Sequence, residues 1–235
     1  MIKRSHVLAA AGVTAGIGLS AGFVGAWTAP GHIGLRPHLI NANTLRDNSV
    51  PLTGTWEVDA WHTSPTFLIH HMGLSTIIGR FDTISGTIVA DEAHPENSSV
   101  NITIPVDSIN TNVKMRDDDL RSDHFFDVAK YPNITFKSTS VVRDKPSHYT
   151  VTGDLTMHGV TKSIALPFTL YGPIKDPFGS PRFGLSTNLI INRLDYGVGP
   201  TDKLAGGQYA EGRDVDIVIN LEATPPKPAT PAPVQ

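Results

Sequence analysis

The stretch that decides the fold is residues 149–170, YTVTGDLTMHGVTKSIALPFTL. Its first half sets Tyr149, Val151, Gly153, Leu155 and Met157 at every second position, and its second half does the same with Ile164, Leu166, Phe168 and Leu170. A period of two puts these side chains on one face of an extended chain, whereas a helix needs apolar residues three and four apart. The alternation continues outward in both directions. Upstream lie Trp56 and Val58, then Phe67, Ile69 and His71 on one side with Leu68 and His70 on the other, then Val100, Ile102 and Ile104, then Ile134 and Phe136. Downstream come Phe183, Leu185, Thr187, Leu189 and Ile191, and Val215, Ile217, Ile219 and Leu221 close the series. About eight strands, each with one apolar face, bury that face and their edges by closing on themselves or by forming a sandwich. Pro105 and Pro167 interrupt two runs, so those strands are expected to be edge-like, bent or bulged there.

Composition narrows the function. Charged residues are 17% of the chain and the formal net charge is −3, which gives no basis for nucleic-acid binding or for attraction to anionic lipid. Cysteine is absent, excluding disulfides, thiolate metal sites, a cysteine nucleophile and a lipidated cysteine anchor.

The ends read differently from the middle. Lys3 and Arg4 precede the uncharged run Val7–Trp27, the pattern of a secretory signal, with Ala26 and Val24 marking a cleavage point. Residues 1–26 are therefore expected to be a signal peptide, or an uncleaved anchor, since the run is long enough to span a bilayer. Residues 27–54 hold several chain breakers without a sustained period and read as a linker. Residues 223–235 contain five prolines in thirteen positions and read as a disordered, extended tail.

Motifs for chemistry are sparse. His70 and His71 are adjacent on a predicted strand and point to opposite faces, so they cannot share an ion. No Gly-x-Ser-x-Gly elbow occurs, and GVGPTDKLAGGQ (197–208) lacks the Gly-Lys-Ser/Thr ending of a phosphate loop. The densest polar stretch, RDDDLRSDHFFDVAKYPNITF from residue 116, reads as a short helix that Asn112 caps and Pro132 ends. Its aspartates, Asp117 to Asp119, are expected to face solvent.

Taken in order, Asp59, His62 and Ser64 in VDAWHTS, then FLIHHMGLSTIIGRF, SINT (108–111), RDDDLRSDHFFDVAKYPNITFKST, VTGDLTMHGVTK (151–162) and INRLDYG (191–197) make a specific string. Through these motifs residues 55–222 resemble the YceI-like family of bacterial polyisoprenoid-binding proteins. Trp61 and Pro65 depart from the family's first motif. The resemblance implies an all-β, antiparallel, eight-stranded lipocalin-like barrel with one or two short helices, in the periplasm. It implies a tunnel for a long-chain isoprenoid or acyl lipid as ligand and partner, and brings no established catalytic residues. No metal and no cofactor are expected, and the alternatives are an enzyme acting on an isoprenoid- or quinone-like substrate, or an envelope structural or stress protein whose ligand is incidental. Membrane contact would come through the N-terminal segment, and a homodimer is left open.

The expected tunnel-lining residues are Phe67, Ile69, His71, Met72, Ile78, Phe81, Phe125, Phe126, Phe136, Leu155, Met157, Phe168 and Leu185, each of which ordinary core packing would explain equally well. His71 faces inward in this scheme and His70 outward. His62, His71 and His158 are expected to be buried, hydrogen-bonded histidines, with a hydrogen bond to the ligand's polar head as the alternative for His71, and Phe125 and Phe126 to cover one end of the barrel.

Overall fold

The computed structural model describes residues 42–227, and in it every alternating segment becomes a strand. In chain order these are β1 (Gly54–Val58), β2 (Ser64–His71), β3 (Ser75–Phe81), β4 (Ser85–Ala90), β5 (Ser99–Pro105), β6 (Ile109–Asn110), β7 (Asn133–Lys145), β8 (His148–Met157), β9 (Val160–Lys175), β10 (Pro181–Asn192) and β11 (Glu211–Thr224). One α-helix, α1 (Lys114–Arg121), and short 3-10 turns complete the described part.

Eleven segments make an eight-stranded barrel because three of its strands are each broken in two. β11 pairs with β1 through Glu57↔Thr224 and Val58↔Ala223, and with β2 from Ser64↔Asn220 to His71↔Glu211. β1 and β2 therefore form one interrupted strand. β3 and β4 form the next, pairing with β2 and β1 in turn, and β5 with β6 the third, pairing with β4 and β3. From there β7 to β11 follow as an antiparallel meander that closes on the first strand. Closure removes the exposed edges that an open sheet of this length would carry.

The barrel has two unlike ends. At one, here the terminal end, the described chain enters at Ala42 and β11 finishes. At the other, the helix end, α1 and the residues after it bridge β6 to β7. Each end has its own apolar cluster. Leu52, Trp56, Phe183, Leu170 and Ala223 belong to the terminal cluster, and Phe81, Ile109, Met157, Tyr196 and Val198 to the helix-end cluster.

One ladder stops short. β9 and β10 pair only from Pro181↔Lys175 to Ser186↔Thr169. Val160–Phe168 of β9 thus pair with β8 alone, and Thr187–Asn192 of β10 with β11 alone. Pro167 lies just beyond the last β9–β10 rung, where a missing N–H costs nothing, so this strand is edge-like as expected, although it lies in mid-sheet. The wall has a seam here, on the helix-end half.

Four sequence expectations need correction. Residues 42–53, expected as the end of the 27–54 linker, fold against the barrel. Val50 is 2% exposed, Leu52 is buried, Trp56 Nε1 donates to Leu52 O at 2.8 Å, and Asp47 N donates to Pro173 O. Apolar residues among breakers produce no period, but they plug the barrel. The barrel also extends past residue 222, because Ala223 and Thr224 belong to β11 and Ala223 is fully buried. Asn112 does not cap α1. It takes a left-handed conformation (φ 64°), and Val113 precedes the helix without a side-chain cap. Finally, Asp117 is only 7% exposed, since its carboxylate accepts from the backbone N and the hydroxyl of Thr111. The Asp118 and Asp119 side chains do face solvent. The signal-peptide or anchor expectation for 1–26 and residues 228–235 of the tail lie outside the described residues.

Candidate functional site

An elongated cavity of about 430 Å³ runs inside the barrel, within the range of small-molecule sites. Its walls are the inward faces of the strands. Ile102, Leu155, Ile164, Leu185, Ile217 and Ile219 point inward yet stay only half-buried, because the space they face is unfilled. In a packed core such residues would lie fully buried against one another.

Eleven of the thirteen expected lining residues border this cavity: Phe67, Ile69, His71, Phe81, Phe125, Phe126, Phe136, Leu155, Met157, Phe168 and Leu185. Met72 and Ile78 do not. Met72 sits in the β2–β3 turn with φ 53°, followed by Gly73 at 70°, and its side chain projects into solvent. Ile78 is 61% exposed on the outer face, because strand alternation sends Ile77, Gly79 and Phe81 inward instead. Gly79 has a steric reason to lack a side chain. A Cβ there would lie 2.2 Å from Cζ of Phe67, whose ring folds across the opposite rung, Phe67↔Gly79.

Polar lining gathers at the helix end. There His71, Thr111, Arg116, Asp119, Arg193 and Glu211 border the cavity, against Asp91 and Ser98 at the terminal end. His71 and Glu211 are cross-strand neighbours. His70 is exposed, hydrogen-bonds with Thr76 Oγ1 at 3.2 Å, and also borders the rim. Arg116 donates to Thr111 Oγ1 and O, while Arg121 reaches across to Asp107 O and Ile109 O, so both arginines pin α1 to the neighbouring loop.

Arg193 is the feature that pattern-reading missed. Only 4% exposed, its guanidinium donates to four carbonyls: Val198 (2.6 Å), Pro200 (2.8 Å), Gly212 (2.9 Å) and Glu211 (3.1 Å). One side chain thus ties the returning 193–212 loop to the start of β11. Burial lowers its pKa, and the charge of Glu211 opposes that shift. Its sequence signal is a lone arginine just after the last alternating apolar residue, Ile191, in INRLDYG.

The histidines divide. His158 is half-buried at a turn (φ 51°), with Nδ1 3.2 Å from Tyr196 O and its ring edge-on to Tyr131 at 4.6 Å. His62 is not buried as expected. It is exposed and hydrogen-bonds Asp59 Oδ2 at 2.7 Å.

Asp59, His62 and Glu222 bring ligand-type atoms within 4.8 Å of one another, a metal-like grouping among the described residues. Arg182 already occupies it. Its Nη1 donates to Glu222 Oε2 (2.5 Å) and Asp59 Oδ2 (3.4 Å), and its Nη2 to Asp176 Oδ2 (3.2 Å). A guanidinium shared among three carboxylates does the neutralising that a cation would otherwise do. The cluster is an ionic clasp joining the β1–β2 loop, the β9–β10 hairpin and β11.

Comparison with known proteins gives four findings. Residues 56–223 match the family model described as a YceI-like domain. "Protein YceI" of Escherichia coli O157:H7 is 39% identical over 166 residues, covering 71% of this chain and 83% of that protein. Among solved structures, the Campylobacter jejuni YCEI protein superposes with a TM-score of 0.58 at 30% identity, over 68% of this chain and 91% of that one. A polyisoprenoid binding domain from Saccharophagus degradans shares the fold at 18% identity, with a TM-score of 0.54 over 73% of this chain and 98% of that one.

Proposed function

The chain belongs to the YceI-like family, and from that premise we propose that it is an exported, periplasmic carrier that holds a polyisoprenoid or similar long-chain amphiphile inside its barrel. The observation that carries this reading is the apolar cavity that the side chains leave within the barrel, around which inward aliphatic residues lie only half-buried. Each CH₂ moved from water to such a site contributes about 0.8 kcal/mol, so one isoprene unit contributes roughly 3–4 kcal/mol before the cost of association. A chain a few units long binds well without any ionic contact. The Saccharophagus degradans domain, a polyisoprenoid binding domain with the same barrel, supports this class of ligand.

The distribution of polar groups orients the ligand, with its apolar chain along the aliphatic walls and its polar head at the helix end. Three of the ionisable groups there, Arg193, Arg116 and Asp119, are engaged in structural bonds. Arg193 is held by carbonyls, Arg116 by Thr111, and Asp119 by His124 at 3.2 Å. That supports binding rather than catalysis. Mass spectrometry of an organic extract of the natively purified protein is the direct test. A prenyl or long-chain acyl lipid at near-stoichiometric amount is expected, and extracts free of both would overturn the reading. Export is checked separately by fractionation, with the protein expected in the periplasmic fraction.

A further inference from the structure

Two aromatic side chains are almost entirely uncovered: Trp61, 93% exposed, and Phe178, 94% exposed. Single exposed apolar residues are ordinary on a protein surface. These two are mounted together. Trp61 lies in the loop between β1 and β2, where its backbone N donates to Asp59 Oδ1 at 3.1 Å. Phe178 lies in the β9–β10 hairpin, where its backbone N donates to Asp176 Oδ1 at 2.9 Å. Each ring is thus set two residues after an aspartate that turns its loop, and both aspartates bind the same Arg182 guanidinium. The clasp described above holds the two loops side by side at the terminal end.

The same end is where the chain arrives. Residues 42–44 lie against β9, and Asp47 N donates to Pro173 O close to the hairpin. Upstream in sequence, the uncharged run Val7–Trp27 is separated from Ala42 by residues 28–41, fourteen residues that reach at most roughly 50 Å. The described chain therefore begins at the same end of the barrel as Trp61 and Phe178, a short tether away in sequence from the most bilayer-compatible stretch. The rings project from loop tips rather than lining a groove, which suits a fluid surface better than a shaped partner. Indole in particular prefers the boundary between headgroups and acyl chains.

We propose that the terminal end docks on a lipid bilayer, with Trp61 and Phe178 entering its interfacial layer. The Asp59 and Asp176 carboxylates that set these two loops are turned onto Arg182, so the docking rests on the rings and depends little on salt. It does not depend on what the cavity holds.

The test uses the full chain carrying Trp27→Phe, which leaves enclosed Trp56 and exposed Trp61 as the only tryptophans. A companion that also carries Trp61→Phe supplies the Trp56 baseline. The protein is mixed with phosphatidylcholine–phosphatidylethanolamine vesicles containing brominated acyl chains. Tryptophan emission is the readout, because it reports where Trp61 itself sits, whatever the N-terminal segment does. Trp61 emission is expected to shift to shorter wavelength and to be quenched, unchanged by added salt, and adding Phe178→Ser is expected to weaken the quenching. Emission that stays water-exposed in saturating vesicles would overturn the proposal. So would a blue shift that grows with protein concentration without vesicles, which would mean that a second copy covers the rings. Leu74→Ser with Met115→Ser, both exposed at the helix end, serves as the control. If that pair abolishes the quenching while Phe178→Ser leaves it intact, the docking face has been misassigned.

Discussion

The two ends of this barrel solve the same problem, an open rim above an apolar interior, in different ways. The terminal end is plugged from within. Trp56 meets Phe183 edge-to-face at 4.8 Å, and Leu52, from the segment ahead of β1, packs into the same cluster. The helix end is covered from outside by a separate layer, in which Phe126 meets Phe81 at 6.2 Å and Leu120 of α1 reaches the same cluster. A plug shares side chains with the sheet and is inseparable from folding. A cover touches the sheet through fewer groups and can be altered while the barrel stands. The terminal end is therefore expected to carry more of the stability, and the helix end to control access to the cavity.

The largest expected effect breaks the plug. Trp56→Ala removes a 4%-exposed ring and its hydrogen bond to Leu52 O, and a loss of about 3–5 kcal/mol is expected in denaturant unfolding. Next comes the exception at the helix end, where Arg193→Ala strands four carbonyls. A loss of about 3 kcal/mol is expected, read as a lower melting temperature. Arg193→Lys should recover only part of it, because an ammonium cannot reproduce the planar fork. Phe126→Ala should cost about 2 kcal/mol but lower the lipid recovered per protein far more than Trp56→Ala does at matched stability. Equal retention in the two would erase the distinction between plug and cover. Gly79→Ala places a methyl against Phe67 and drives the ring toward the cavity. About 1 kcal/mol of destabilisation should accompany a shift of the extracted lipids toward shorter chains.

The smallest effect is acidic. Burial works to raise the pKa of Asp59, but hydrogen bonds from His62 and the Trp61 N–H, together with the Arg182 charge, outweigh it and hold the group below the usual carboxylate range. Asp176 is lowered chiefly by the Ser180 N–H, with the Phe178 N–H and Arg182 adding to it. Groups lowered on folding contribute stability above their unfolded pKa, about 3.9, and lose it as pH falls through the folded value. The clasp should therefore loosen below about pH 4, and Asp59→Asn should flatten that part of the stability profile.

The sheet and most of the cavity lining were legible in the sequence, because strand alternation is a strict local rule. Phe67, Ile69 and His71 line one side because every second side chain must. Ile78 falls outside the lining by that same rule, which assigns the position to Ile77. What could not be read was whatever depends on contacts far apart in sequence. Val50 and Leu52 carry no period and reveal their role only beside Trp56. Asp117 looks like its solvated neighbours until Thr111 comes within reach. Arg193 needs carbonyls from Val198 to Gly212 to explain its burial.

The interrupted ladder between β9 and β10 bears on time rather than on energy. Along Val160–Phe168 and Thr187–Asn192 the wall has no rungs to break, so those strands can part without the cost that limits opening elsewhere. The residence time of anything held inside is then set by this local breathing and is decoupled from the lifetime of the fold. Amide hydrogen exchange should show this directly, with the amides of β10 that face β9 exchanging well before those of the β10–β11 ladder on the same strand.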